Sequence, residues 1–357
     1  MTAINAGFPA NKINWVDRKQ VTTQPAKACL FNLIIYTHDS RRASYFQDIV
    51  RLIATQFPCR ILFIWSDPLS TESYLHIKQA VEENQTQTNL NSDQFLIEAS
   101  HDLLTRIPFI IYPYLVADVP IYLLWGQDLA TENAILPNLQ KYATRLIFDS
   151  ETCENLQRFS LNMLDRVETA NVEIVDMNWI RICGWRDVLI QTFDTEERIH
   201  QLTSSKQITI TYNNRPSDLS LHPTTQALYL QAWLATQLNW EYDKWEKEDR
   251  DTLLIYYKTQ NNAIRIKLQG ETKQDIQAQE ILEFEAEDPA AFLYSITRKD
   301  SKQVIVHCNT IDRCELPFNL TLMNLWSGKH FVQEVFYKKT SSQYIKMLHK
   351  ISQINEK

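Results

Sequence analysis

Five glycines in 357 residues, Gly7, Gly126, Gly184, Gly270 and Gly328, are too few and too scattered for a backbone that must wrap around a ligand. Dinucleotide fingerprints, phosphate-cradling loops and nucleophile elbows all cluster glycines so that main chain can approach the bound group. None of them can be built from this chain, and no cofactor is expected. An excess of positive charge is missing too. The 43 acidic and 36 basic residues leave a net charge of -7 spread along the chain, so no footprint for nucleic acid or an anionic membrane is present. The longest greasy run, IPFIIYPYLVADVPIYLLW, is broken by Pro108, Pro113, Pro120 and Asp118, which rules it out as a spanning helix. The first residues, MTAINAGFPANKINWVDRK, lack a basic segment followed by an apolar core, so no secretory leader is expected and a cytoplasmic location is. The cysteines at 29, 59, 153, 183, 308 and 314 include no CxxC and no zinc spacing, so no metal is expected.

What is present is alternation. CLFNLIIY, residues 29–36, is a continuous apolar run of the kind found in a strand buried on both faces. After it, Phe46, Ile49, Val50, Ile53 and Phe57 recur at helical spacing, and Pro58 stops the helix. RILFIW (60–65), PIYLLW (120–125) and TRLIFDS (144–150) read as further strands, YLHIKQAV and DQFLIEA as weaker ones joined by the polar loop EENQTQTNLNS. Helices are expected over 137–143 and 152–167. Strands alternating with amphipathic helices imply a mainly parallel, doubly wound sheet.

Beyond DTEERIHQLTSSK, residues 194–206, the pattern changes to period two. AIRIKLQ alternates Ile264, Ile266 and Leu268 with Arg265 and Lys267, and ILEFEAE alternates Leu282, Phe284 and Ala286 with Glu283, Glu285 and Glu287. Strands with one wet face build antiparallel sheets. Strands are also expected at ITITY, TLLIYY, FLYSITR and QVIVH, with a helix at TTQALYLQAWLATQL. The expected layout is an N-terminal extension (1–27), an α/β domain (28–200) and an α+β domain (206–357) ending in a basic amphipathic helix. That helix would set Phe331, Val332, Val335, Phe336, Ile345, Leu348 and Ile351 beside Lys338, Lys339, Lys346 and Lys350.

Candidate sites are few. Strand ends carry Asp39 and Ser40, Ser66 and Asp67, Gln127 and Asp128, and Asp149 and Ser150. At the carboxyl edge of a parallel sheet such groups can hold a ligand, but the same residues cap helices, and capping is the stronger reading. THDS (37–40) sets His, Asp and Ser side by side, where they cannot face one another as a hydrolytic relay. The stretch DMNWIRICGWRDVLIQTF (176–193), laid out as one helix, puts Arg186 near the middle of an apolar face formed by Trp179, Ile182, Leu189, Ile190 and Phe193. A buried guanidinium needs a partner. Either Asp149 or Asp118 supplies it internally, or Arg186 joins Arg181 and Trp185 as a patch for a protein partner, where Trp and Arg are favoured. Cys308 and Cys314 read as two reduced thiols, or as a pair that meets if their loop folds back.

Three blocks in order, YPYLVADVPIYLLWGQD (112–128), ATRLIFDS (143–150) and DMNWIRICGWRDVL (176–189), resemble the glucose-6-phosphate dehydrogenase assembly protein OpcA family. The first has Ala117 where the family often has proline. Such a resemblance implies a non-catalytic partner of glucose-6-phosphate dehydrogenase that promotes its active oligomer, acting on entry to the oxidative pentose phosphate pathway. It also implies a thioredoxin-linked, reducible role for Cys308 and Cys314. The alternative is a sugar-phosphate-binding protein or enzyme using the carboxyl edge of the first sheet, with Arg181 or Arg186 on the anion.

Overall fold

A computed structural model describes residues 8–9, 13–17, 28–67, 70–80, 92–130, 135–169, 172–219, 221–259, 262–322, 335–336 and 339–354. Most of the 1–27 extension, the loop from residue 82 to 91, and Phe331, Val332 and Lys338 lie outside them. The chain divides into two compact units. The first takes the described residues up to Thr152 together with 172–176, 335–336 and 339; the second takes 153–169, the described part of 177–322, and 340–354. The division thus falls earlier in the chain than the 194–206 segment.

The first unit holds β1 (Trp15–Asp17), β2 (Asn32–Thr37), α1 (Ser40–Ala54), β3 (Arg60–Asp67), β4 (Leu75–Ala80) and β5 (Asp93–Ser100). It continues with α2 (Ile107–Ile111), β6 (Ile121–Trp125), α3 (Leu136–Leu139), β7 (Arg145–Phe148) and β8 (Glu173–Asp176). The sheet runs β1-β4-β5-β3-β2-β6-β7-β8. From β5 to β8 every pairing is parallel, and the six strands follow the 3-2-1-4-5-6 order of a doubly wound sheet, with its switch point between β2 and β6. β4 and β1 add an antiparallel edge. Residues 15–17, read as extension, therefore contribute an edge strand.

All six residues of β2 are buried, the signature of a strand covered on both faces. Its polar first residue, Asn32, is satisfied by a side-chain clamp: Nδ2 donates to Val116 O, and Oδ1 accepts from Val116 N, each at 2.9 Å. α1 packs Phe46, Ile49, Val50 and Ile53 inward. Phe46 lies against Gly126, whose N–H donates to Tyr36 O at 2.9 Å. There a glycine is required by space.

The second unit holds α4 (Leu156–Thr169), α5 (Met177–Arg181), α6 (Cys183–Thr192), α7 (Glu196–Ser204), β9 (Gln207–Asn213) and α8 (Thr225–Gln237). Then come β10 (Glu241–Lys247), β11 (Thr252–Lys258), β12 (Ala263–Glu271), β13 (Ile281–Asp288), β14 (Phe292–Arg298), β15 (Gln303–Thr310), β16 (Phe318–Thr321) and α9 (Ser342–Ile351). Its sheet runs β10-β11-β12-β9-β13-β14-β15-β16 and is antiparallel except for β12 beside β9. α8 is buried continuously from Thr225 to Ala235, as a helix packed on all sides must be. It meets the sheet through Tyr257 Oη donating to Gln231 Oε1 at 2.8 Å and meets α9 through Trp233 Nε1 and Gln343 Oε1 at 3.4 Å. α9 buries Tyr344, Met347, Leu348 and Ile351 and leaves Lys346 exposed.

Two elements differ from the sequence reading for local reasons. DTEERIHQLTSSK, expected as a polar domain boundary, contains α7, because Thr195 caps Arg198 N and Glu196 and Glu197 fill the first turn. The 176–193 stretch is not one helix: it opens with the end of β8 and breaks at Ile182 (φ -84°, ψ 1°) between α5 and α6. α4 and α5 belong with the second unit because their inner faces pack there, with Gln157 Nε2 donating to Ser352 O at 2.9 Å and Trp179 5.6 Å from Tyr344.

At Gly126, an added Cβ would overlap the Phe46 ring and stand 3.0 Å from Tyr36 O. Gly126→Ala should cost about 1–3 kcal/mol of stability, as overpacking does, read as a lower urea midpoint at unchanged slope.

Candidate functional site

The carboxyl edge of the first sheet gathers the ends of β2, β3, β5, β6 and β7. Asp39 caps α1, its Oδ1 accepting from Arg41 N at 2.8 Å, while its Oδ2 accepts from Arg41 Nη2 at 3.0 Å. Partial burial pushes the Asp39 carboxyl upward, but the Arg41 bonds outweigh it and hold the group below the usual aspartate range. His38 is shifted the other way from an ordinary histidine charge: burial lowers its pKa against the pull of Asp39 and a Gln127 hydrogen bond. Its imidazole is neutral at neutral pH. At the end of β5, Asp102 accepts from Ser100 Oγ at 2.5 Å and Ser73 Oγ at 2.7 Å. The strand-end acids at 39 and 102 are thus engaged in local capping and hydroxyl bonds.

Asp149, at the end of β7, is buried and takes a guanidinium from α1: Arg42 Nη1 lies 2.7 Å from its Oδ2 and 3.7 Å from Glu151 Oε2. Arg42 is 3% exposed. Sequence reasoning singled out Asp149 but overlooked this arginine, although Arg42 precedes Phe46, Ile49 and Ile53 by 4, 7 and 11 residues and so lies on the apolar stripe of α1. Asp118, the other partner considered for Arg186, is an exposed turn residue with φ 60° at the amino end of β6, away from the carboxyl edge. Its conformation explains the aspartate, since Asp is among the few residues that enter the left-handed region readily.

In the second unit, Arg186 stacks on Trp179, with its guanidinium carbon 3.5 Å from the ring centroid, and Nη2 donates to Trp179 O at 3.2 Å. Trp179 is itself packed against Tyr344. The charge is thus met by a π face and a carbonyl. Arg181 donates from Nη1 to Asn178 Oδ1 at 2.9 Å and is half-buried. Trp185, expected at the surface beside Arg181, is only 3% exposed, and Ile190, expected on the apolar face, is 58% exposed. Trp179, Ile182, Leu189 and Phe193 are buried as expected, and the break at Ile182 turns α6 enough to bury Trp185 and expose Ile190.

Cys308 lies on β15, buried, its thiol pushed up to about 11 by burial. Cys314 is exposed, pairs with Asn309 across an antiparallel bridge and donates from Sγ to Asn309 Oδ1 at 3.1 Å. Residues opposite one another in such a ribbon share a face and chain neighbours alternate. Cys308 therefore points to the face opposite Cys314. Among the described residues, no group of three or more His, Cys, Asp and Glu is arranged to hold a metal, and no helix is long and apolar enough to cross a membrane.

These features define the class: a doubly wound α/β unit joined in sequence to a unit built on a large mixed sheet. Among solved structures, the open form of KijD10, a 3-ketoreductase from Actinomadura kijaniata crystallised with NADP, is similar at TM-score 0.51 and 9% identity over 91% of this chain and 95% of that one. The transcriptional regulator Gal80p from Kluyveromyces lactis is similar at TM-score 0.50 and 11% identity over 93% and 90%. One fold thus serves an enzyme and a regulator, so it does not choose between them. Sequence narrows it. Residues 50–165 match the glucose-6-phosphate dehydrogenase subunit N-terminal domain and residues 172–309 the corresponding C-terminal domain, and the chain belongs to this OpcA family. It is 25% identical over 195 residues to an OxPP cycle protein OpcA from Synechocystis (54% of this chain, 39% of the relative) and 24% identical over 215 residues to one from Nostoc punctiforme (58% and 44%). The match thus spans less than half the length of either relative.

Arg42→Ala should cost about 3–5 kcal/mol because it strands Asp149 in the interior. The double variant Arg42→Met with Asp149→Leu should recover most of that loss in chemical denaturation. In the folded protein a thiol reagent should label Cys314 quickly and Cys308 slowly, and peptide mapping after mild oxidation should show no 308–314 disulfide.

Proposed function

We propose that this chain is a non-catalytic assembly factor and allosteric activator of glucose-6-phosphate dehydrogenase. The observation that carries the reading is the match to both consecutive domains of the OpcA family. The first βα turn supports it: at the switch point, where a dinucleotide phosphate would meet the free amides of α1, the chain places the Asp39 carboxylate. An anion arriving there meets like charge. Activation then requires only differential binding. A factor that holds the active state of its partner about a hundredfold more tightly than the inactive state shifts the equilibrium by roughly 2.7 kcal/mol.

On α5 and α6, Arg181 and the exposed Ile190 are the groups offered to the partner, while Trp185 and Trp179 are buried. Arg186, half-buried on Trp179, is pre-oriented rather than free to rotate. Preorganised arginines lose less entropy on binding than mobile ones.

A second reading, a sugar-phosphate binder at the carboxyl edge, rests on Gln127, which is 6% exposed with Nε2 lacking a hydrogen-bond partner among the described residues, beside neutral His38. The outward carboxylates at this edge weigh against it.

Titration into the cognate dehydrogenase, following rate and mass together, should give a defined complex and a rise in activity at micromolar protein. Arg181→Glu should weaken the complex at least about tenfold, the scale of an interface charge reversal, in a variant that a thermal melt shows to be folded. Absence of both complex and activation would remove the proposal. Saturable thermal stabilisation by glucose 6-phosphate alone would favour the second reading.

A further inference from the structure

The second sheet has one face packed by α8, and its other face carries a charge pattern that the proposed function does not use. Strand register sets that face out in rows. Lys244, Tyr256, Arg265, Gln207, Glu287, Leu293 and Asn309 align across β10, β11, β12, β9, β13, β14 and β15. The next row is Glu246, Leu254, Lys267, Thr209, Glu285, Ser295 and His307. β9 thus runs down the middle with the small Thr209 and Thr211, a basic stripe of Arg265 and Lys267 on one side, and an acidic stripe of Glu283, Glu285 and Glu287 on the other.

The face is open at Lys244, Arg265, Gln269, Leu293, His307 and Asn309, all exposed, and half-open at Lys267 and Glu285. Its polar contacts stay within the sheet: Gln207 Nε2 donates to Glu287 Oε1 at 3.1 Å, and Ser295 Oγ and Thr297 Oγ1 donate to Glu283 at 3.2 and 2.6 Å. Lys267 and Glu285 have no ion pair within 4.0 Å among the described residues. They flank Thr209 one strand away on either side, about 10 Å apart by strand spacing, too far to meet each other. Glu285 stands between two like charges and is half-buried, and its carboxyl is pushed up by burial and by Glu283 and Glu287.

We propose that this face binds a second copy of the chain, sheet on sheet, about a two-fold axis parallel to β9. The stripes select that operator. Rotation about an axis along β9 exchanges left and right, which lays the basic stripe of each copy over the acidic stripe of the other. Rotation about the perpendicular in-plane axis would lay like over like, and is rejected by charge. In the selected arrangement Lys267 of each copy faces Glu285 of the other, twice over, with the threonines at the centre allowing close approach. Isologous interfaces repeat every contact in this way, and aligned sheet packing at about 10 Å is an ordinary geometry. Tyr256, Leu293 and Ile305 supply the apolar part of the contact.

Sedimentation equilibrium and light scattering on the full chain, without the dehydrogenase, test this directly. The expected result is a reversible dimer whose dissociation constant rises at least about tenfold between low and high salt. Lys267→Glu and Glu285→Lys should each weaken it by about a hundredfold, since each reversal places two like-charged contacts in the interface. Both substitutions lie on the wet face of strands, and a thermal melt confirms that each variant is folded. The double variant Lys267→Glu with Glu285→Lys restores opposite signs and should dimerise to within about threefold of the parent. A monomer at about 100 µM, a concentration at which even a weak specific dimer is populated, would overturn the proposal. So would a dimer indifferent to both single reversals, or a double variant as weak as the singles.

Discussion

The ion pair between Arg42 and Asp149 is the constraint around which the first unit is arranged. A doubly wound sheet covered on both faces has no water to solvate a charge, so a guanidinium entering from α1 must bring its carboxylate with it. Arg42 and Asp149 are 107 residues apart, and their meeting fixes the first helix of the unit against the fifth parallel strand of the doubly wound order. The same helix starts at the switch point. There Asp39 satisfies its free amides, and Arg41 closes over Asp39. A helix N-terminus and an arginine, the two groups that ordinarily recruit a bound anion, are already matched by carboxylates of the chain.

That internal matching gives physical content to the non-catalytic reading proposed for this chain. The strand order positions a ligand crevice at the end of β2, whatever the sequence. What varies is the chemistry of the turn. Glycines would let main chain wrap a pyrophosphate; THDS instead gives a histidine held neutral by burial and an aspartate held charged by an arginine. With the crevice so furnished, exposed features on other surfaces are the better places to look for the protein's work, which agrees with membership of a family defined by its relation to another enzyme.

Much of this architecture was legible in the residues because burial imposes a period. β2, β3, β6 and β7 announced themselves as unbroken apolar runs, and β12 and β13 as strict alternations. Elements whose stability comes from neighbours were silent. β10, EYDKWEK, is an exposed edge strand held by its pairing with β11, and β1 exists through its pairing with β4. Arg186 was legible as an unusual charge, but its partner was not: the guanidinium stacks on the Trp179 ring, seven residues back on the same stripe, and nothing in the local composition demands the break at Ile182. The misplaced faces of Trp185 and Ile190 follow from the same turn.

The two cysteines show the converse case, in which spacing suggested a contact that register forbids. Six residues separate Cys308 from Cys314, close enough for a folded-back loop. Once Asn309 pairs with Cys314, however, the pleat sends Cys308 into the core and Cys314 outward. The same rule acts constructively on the outer face of that sheet. Because neighbours in an alternating strand never share a face, Arg265 and Lys267 are forced to one surface with Glu283, Glu285 and Glu287, and the parallel insertion of β9 between β12 and β13 sets the two stripes apart by two strand spacings. A pair of adjacent strands would have neutralised these charges within the sheet. Separation by the strand of Thr209 and Thr211 leaves Lys267 and Glu285 to be answered from outside, and a face that is the electrostatic inverse of itself under rotation about its central strand can be answered by its own copy.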